Sequence, residues 1–364
     1  MKHRAMILAL AATVGSALGC GGTAIDLERP APPDSPQAGA PPVIVSEKVQ
    51  VEHWVTSLSA DDMEVYWVDS VAMQGKLRSC TFHDCAGTSR DYADTSSPVF
   101  VTSQDFFFPS PSVMNPIGGT EWTLLRCPKS GCNGVPAEFV NDAVGALNAD
   151  ATSLYWASDF DIYRCPLSGC RETPDLVAAR PSDDPSLKAP DGVSVGSTSA
   201  LLLASDSVYW ISGNVVYTAA KDGSRKATRV MTIDTPYVVV AIDELNLYWV
   251  DSASKILSCP LAHCSDSPGT PLVTTGTPKD NLYVDGRGLY WREYQHLPDP
   301  LSSAVYFCPL TGCSEPRLLT DAPVRLMAFS EHYLYWTKLD WTKTGSESLE
   351  DSNTAILRVP KPTP

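Results

Sequence analysis

The sequence predicts an all-β fold: a seven-bladed β-propeller of four-stranded antiparallel blades, following an export signal and a disordered tether. Three observations predict it. A Tyr-Trp pair recurs at 66–67, 155–156, 209–210, 248–249, 290–291 and 335–336, and Phe107-Phe108 fills a seventh position. Taking the second aromatic of each, successive spacings are 41, 48, 54, 39, 42 and 45 residues, a period that marks an array of supersecondary units. Within each unit short β-rich runs alternate with polar turns, without helical periodicity of useful length. Finally, a Cys-x4-Cys motif occurs five times, always where the third run of a unit ends.

The elements follow in chain order. "MKHR" is a basic n-region, "AMILALAATVGSA" a short apolar h-region and "ALGC" its close, so residues 1–19 read as a signal peptide. The apolar run is too short to span a bilayer core. A Cys directly after small residues resembles the lipobox of bacterial lipoproteins, although Ala17 stands where that pattern prefers Leu, and Leu18 follows. The resemblance implies cleavage before Cys20, a diacylglycerol on its thiol and a third acyl chain on its new amine. The alternative is an ordinary signal peptide with Cys20 incidental. Of the 11 cysteines, ten fall into the five short pairs and Cys20 is left over, which lipidation accounts for. Gly21 lacks the Asp that resembles an inner-membrane retention signal, which favours the outer membrane. Residues 20–42 are rich in Pro, Gly and Ala and form a tether reaching at most about 70 Å.

Residues 43–364 form the propeller domain. In 237–275, "YVVVAID", "NLYWVD", "KILSCPL" and "TPLVTT" are four successive strands. Adjacent strand residues point to opposite faces, so Tyr and Trp place a large ring on each side of the sheet. A sheet apolar on both faces must be covered on both. Sheets packed face to face around an axis meet that need. Seven markers argue for seven blades, with six or eight left open. The last unit has "RLMAFSE", "YLYWTKL" and "TAILRVPK" but no fourth strand, whereas "PPVIVSE" at 41–47 is a spare one. Pairing the two closes the ring and hides both edges.

The motif "CPxxGC" suits a tight turn, with Pro fixing φ and Gly accepting a left-handed residue. An exported chain meets an oxidising environment, so the pairs persist as disulfides: Cys80–Cys85, Cys127–Cys132, Cys165–Cys170, Cys259–Cys264 and Cys308–Cys313. Each is worth about 2 kcal/mol in the chain-entropy account. Where the motif is missing, both partners go together, as Ala219 with Ser224 and Val359 with Pro364. Zinc is the rival reading, since His83 and His263 lie inside two of the loops; metal pairs are more often C-x2-C.

"YWVDS" at 66–70 and 248–252 resembles YWTD-type propeller repeats, the class B repeats of the low-density-lipoprotein receptor, and bacterial lipoproteins with a related propeller. That resemblance implies six blades, protein or peptide recognition outside the cell, and no catalytic residue.

The formal charge of −15 disfavours nucleic acid, which an acidic chain repels. Antiparallel order puts second-to-third-strand loops and blade connections on one end and every Cys hairpin on the other. Insertions at 109–121, 180–192, 292–303 and 337–353 all fall on the first end. Function sits on variable loops carried by a rigid scaffold, so this insertion face is the expected site, with Tyr294, His296 and Trp341 as aromatic anchors. "GVSVG" at 192–196 fits a nucleophile elbow, but Ser194 lacks the strand–turn–helix that this chemistry needs. Asp183, Asp184 and Asp191 lack the spacing of a calcium loop. No cofactor, metal site or catalytic residue is expected. The reading is an exported protein, lipid-anchored to the bacterial cell envelope and touching the membrane only through that anchor. It would bind a protein, peptide or glycan. The alternative is a metal-dependent propeller hydrolase or lyase, lactonase-like, with its site in the central channel.

Overall fold

The computed structural model describes residues 54–362 apart from 72–73, 82–83, 115–119, 143, 159, 171–172, 180, 182–197, 236–237, 267–268, 275, 295–302, 314, 322 and 341–352. Seven antiparallel sheets follow one another, six with four strands and the last with three. Within every sheet chain order is spatial order. Blade 4 is representative: inner strand Thr198–Leu203, then Ser207–Ser212, Val215–Ala220 and outer strand Thr228–Thr232. The inner strand of blade 1 touches those of blades 7 and 2, and the inner strands of blades 3 to 6 touch in succession, which places them around the axis. Among the described residues, helix is confined to Cys85–Thr88 and a 3-10 segment, Leu261–Asp266, both within Cys loops.

The aromatic pairs do what strand alternation demands. Tyr155 joins the core it shares with Leu201 and Val208 of blade 4, while Trp156 packs with Phe107 and Phe139 of blade 2. Tyr248 faces Leu282 and Leu289 of blade 6, and Trp249 faces Leu202 and Val216 of blade 4. Phe107-Phe108 behaves likewise, Phe107 with Leu154 of blade 3 and Phe108 in the core that holds Tyr66 of blade 1. Each pair therefore links its blade to both neighbours, and each fully buried ring contributes about 3 kcal/mol of transfer free energy. Trp156, Trp210 and Trp291 also stack on the tyrosine opposite them in the third strand, Tyr163, Tyr217 and Tyr306.

Seven sheets correct the six blades that the YWTD resemblance implies. Blade 7 contains Met327–Phe329, Tyr333–Asp340 and Asn353–Pro360; the expected closing strand at 41–47 lies outside the described residues, as do the signal segment, Cys20 and the tether.

All five cysteine pairs are disulfide-bonded, with Cα separations from 4.8 to 5.5 Å. The second Cys is not on the return strand: Cys132 precedes the outer strand Ala137–Asn141, and Cys170 precedes Asp175–Ala178. The bond therefore staples the loop beyond the turn to the end of the third strand. The turn forms as expected. Gly131 and Gly169 have φ of +111° and +125°, and their amides donate to Pro128 O and Pro166 O at 2.8 and 2.9 Å. In blade 4, which lacks cysteines, the Asp222 carboxylate accepts from the Ser224 amide at 2.9 Å and holds the same turn.

Candidate functional site

The two ends of the propeller are built differently. On the Cys face the turn from inner to second strand repeats one device. Asp61, Asp150 and Asp243 each accept, through Oδ1, the amides two and three residues on. The other oxygen accepts the hydroxyl of the marker tyrosine, Tyr66, Tyr155 or Tyr248, at 2.8, 3.0 and 2.7 Å. This is why an acid stands ahead of the Tyr-Trp pair. Burial, then the Asp150 charge, pushes the Tyr155 hydroxyl up to about 12. Where the next blade offers a lysine, it clamps the same carboxylate: Lys129 on Asp61, Lys221 on Asp150 and Lys361 on Asp285, at 3.0, 3.2 and 2.7 Å. The corresponding residue in the sequence of blades 1, 3, 5 and 6 is Phe82, Leu167, Leu261 or Leu310. Blades 2 and 4, which precede Leu167 and Leu261, put Thr102 and Ala204 where the acid would stand. These contacts join blades.

The insertion face is uneven. The second strand runs beyond its marker Trp, or Phe108 in blade 2, to Val71, Met114, Ser158, Ser212, Val250, Tyr294 and Asp340 in blades 1 to 7. The overshoot is thus 4, 6, 2, 2, 1, 3 and 4 residues. At about 3.3 Å per residue, the second strand of blade 2 extends about 17 Å further past its marker than that of blade 5. Blades 6, 7, 1 and 2 are consecutive around the ring, so their hairpins form a crescent wall over the low sector of blades 3, 4 and 5. Trp122, on the third strand Thr120–Pro128 of blade 2, is 38% exposed on this wall.

A polar network secures the wall where blade 6 meets blade 7. Arg292 Nε donates to Asp280 Oδ1 at 2.7 Å, and its second amino group bonds Asp280 Oδ2. The first amino group reaches into blade 7, donating to Val324 O and Arg325 O at 2.8 and 2.6 Å. Tyr294 accepts from Arg292 at 2.7 Å and donates to Asp280 Oδ2 at 2.6 Å. Burial, then the Asp280 charge, raises its hydroxyl to about 12. Alongside, Lys279 is fully buried, donates to Ser254 O and Thr277 O, and lies 3.3 Å from Glu293. Glu293 in turn accepts from the Trp291 indole at 2.9 Å. Burial holds the Lys279 amine below its ordinary range. Burial, then the Arg292 charge, lowers Arg325 to about 10.

Of the expected anchors, Tyr294 is half-buried at the end of blade 6's second strand, its hydroxyl committed to Asp280 and Arg292 and the Arg292 guanidinium 5.0 Å from its ring centre. His296 and Trp341 lie outside the described residues, as do Ser194, Asp183, Asp184 and Asp191. Sequence reasoning missed Trp122 and the Arg292–Asp280 pair. The alternation in "WREY" could have flagged two polar residues flanking Glu293 on one sheet face. Among the described residues, one group of three potential metal ligands lies within 4.8 Å: Asp62, Glu331 and His332. It is at the Cys face where blades 7 and 1 meet, with His332 Nδ1 2.9 Å from Asp62 Oδ2.

No family model matches the chain, and no curated protein matches it. Solved structures do, at the level of fold. The β-propeller domain of the Trilobed protease from Pyrococcus furiosus, which has an open velcro topology, superimposes with a TM-score of 0.55 at 8% identity, covering 85% of this chain and 97% of that one. The WD40 β-propeller domain of Doa1 gives 0.51 at 12%, covering 86% and 94%. YCF48 bound to the D1 peptide gives 0.50 at 12%, covering 89% and 99%.

Proposed function

We propose that this chain is an exported scaffold, lipid-anchored through Cys20 to the outer membrane of a bacterial cell envelope, that recognises a protein, peptide or glycan on its insertion face. The carrying observation is the contrast between the two ends. The Cys face has short, stapled, repetitive turns. The insertion face raises consecutive hairpins into a wall beside a low sector, the form of a rigid scaffold presenting variable loops. That a similar propeller, YCF48, was solved with a peptide supports the peptide reading. The disulfides support an oxidising compartment. The low sector spans three blades and the wall four, enough perimeter for an extended segment or a small domain.

The test is cross-linking and capture from envelope extract, comparing the intact chain with one whose 292–303 and 337–353 segments are shortened. A specific protein or glycan retained by the first and lost by the second is the expected outcome. Equal capture by both would overturn the assignment to this face.

A further inference from the structure

Among the described residues, Asn133, Ser254 and Asn281 are the non-glycine residues with left-handed backbone. Two of them meet at the insertion end of blades 5 and 6, where Lys279 donates to Ser254 O at 2.8 Å and Asn281 lies two residues further along the same strand. Asn281, at φ +50°, is inside the inner strand of blade 6, Lys279–Val284. Pairing with the second strand runs Lys279↔Glu293 and Asp280↔Arg292, then resumes at Tyr283↔Tyr290, so Asn281 and Leu282 together oppose Trp291. This is a β-bulge of the kind whose left-handed position is normally glycine. The inner strands of blades 1 and 4 also shift register, but neither has a left-handed residue.

The bulge takes Asn281 out of the alternation of its strand. Lys279 and Leu282 serve the blade 5 side, Leu282 in the core that holds Ala241 and Tyr248. Asp280 and Tyr283 serve the blade 7 side, Asp280 through the Arg292 that reaches Val324 O, and Tyr283 by stacking on Phe329. Asn281 is the extra residue between these sets, half-buried on the strand that borders the axis, and its carboxamide makes no hydrogen bond among the described residues. The two residues before it are pinned, Lys279 by Ser254 O, Thr277 O and Glu293, and Asp280 by Arg292 and Tyr294. Strained backbone persists only where its surroundings over-determine it, and such positions gather at ligand clamps. The Lys279–Glu293 and Arg292–Asp280 pairs each balance in charge, so the group this network presents is a neutral amide. We propose that Asn281 anchors the ligand of the insertion face. Its carboxamide donates to the carbonyl and accepts from the N–H of an extended polypeptide that crosses from the low sector to the wall. This rests on the insertion-face reading above and names what is recognised there, main chain rather than a charged side chain. A carboxamide carries the donor and the acceptor that peptide groups complement.

Panning the full chain against a phage-displayed library of random dodecapeptides, then measuring affinities of synthetic copies, tests it. Glycine adopts this backbone freely, so Asn281→Gly removes the carboxamide and keeps the bulge. Enriched peptides are expected to bind Asn281→Gly roughly tenfold more weakly than the parent chain, with disulfides intact and melting temperature unchanged or raised. Replacing each peptide N–H in turn by an ester oxygen is expected to find one position that weakens parent binding by a similar factor and leaves Asn281→Gly unaffected. Peptides that bind both chains equally, or an ester scan with the same profile in both, would overturn the proposal. If the chain with shortened 292–303 and 337–353 segments still loses those peptides, the insertion-face reading stands; peptides indifferent to every one of these changes would overturn both. A library that yields no binder also overturns the proposal, and binding to a glycan array that Asn281→Gly loses would then assign the site to a sugar.

Discussion

Trp156 and Trp336 occupy equivalent positions and are both fully buried; the residue opposite is Tyr163 for the first and Leu357 for the second, and the two indoles differ in hydrogen bonding. The Trp156 indole donates to Asp142 Oδ2 at 3.1 Å, whereas Trp336 Nε1 is buried without an acceptor. Replacing each by Phe removes the same volume, so the cavity cost, about 1–3 kcal/mol for one lost ring, is common to both. The polar term has opposite signs. Trp156→Phe loses a hydrogen bond to a carboxylate, about 1.5–3 kcal/mol. Trp336→Phe removes an orphaned donor whose desolvation the native state already bears, returning about 1–3 kcal/mol.

Trp156→Phe is therefore expected to destabilise by about 3 kcal/mol or more and Trp336→Phe by about 1 kcal/mol or less. Urea unfolding with disulfides intact measures both, provided that fluorescence and far-ultraviolet circular dichroism give coincident transitions. A separation of about 2 kcal/mol corresponds to several degrees in melting temperature for a domain of this size. Equal losses, or a larger loss at Trp336, would refute the reasoning, because a phenyl ring in place of Trp156 can still stack on Tyr163 and the hydrogen bond is then the main difference between the two sites.

Burial should also grade the lysine clamps. Lys361 and Asp285 side chains are 2% and 19% exposed, against 16% and 38% for Lys129 and Asp61; Lys361→Ala is expected to cost about 3 kcal/mol and Lys129→Ala about 1 kcal/mol by urea midpoint. Acid sensitivity follows from Asp150. Burial pushes its carboxyl up, but bonds from the Thr152 amide and hydroxyl, the Ser153 amide and the Tyr155 hydroxyl outweigh that and hold it at about 2, below its ordinary 3.8. A depressed carboxyl stabilises fully above about pH 4 and loses that contribution as pH falls toward 2. Asp150→Asn is expected to flatten that part of the stability–pH curve by about 1 kcal/mol after solvent screening; an unchanged slope would show that the turn does not depend on the charge.

Blade number, strand order and the two-sided role of each aromatic pair were legible because they follow from a period and from strand alternation alone. Phe107-Phe108 could be placed as a marker despite lacking Tyr and Trp, because what matters there is a ring on each face. The cysteine pairs were legible for a different reason: a separation of five residues leaves only a local partner. Their exact seating was not. Whether Cys132 falls on the outer strand or five residues before it depends on how many residues the return from Gly131 takes, and no periodicity encodes that.

The candidate site shows where local reasoning stops. Loop length marked blades 2, 6 and 7 as insertion-bearing, but not that blade 1 joins them to make one wall, since Val71 ends a strand of ordinary length. Tyr294 was chosen as an exposed aromatic near an insertion. Its fate turns on Asp280, 14 residues earlier and on the adjacent strand, which captures its hydroxyl and the Arg292 guanidinium together. The inner-turn acids were visible in sequence as a habit of the repeat, yet their purpose needed the neighbouring blade. Lys129, Lys221 and Lys361 each meet a carboxylate one blade back, while Leu167 and Leu261 follow blades that have Thr102 and Ala204 at the acid position, and Leu310 follows one that keeps Asp243. Lysine–carboxylate clamps thus tie three of the described blade junctions together at the Cys face. Among the described residues the insertion face shows no such repeating clamp, and its second strands differ by five residues in length past the marker.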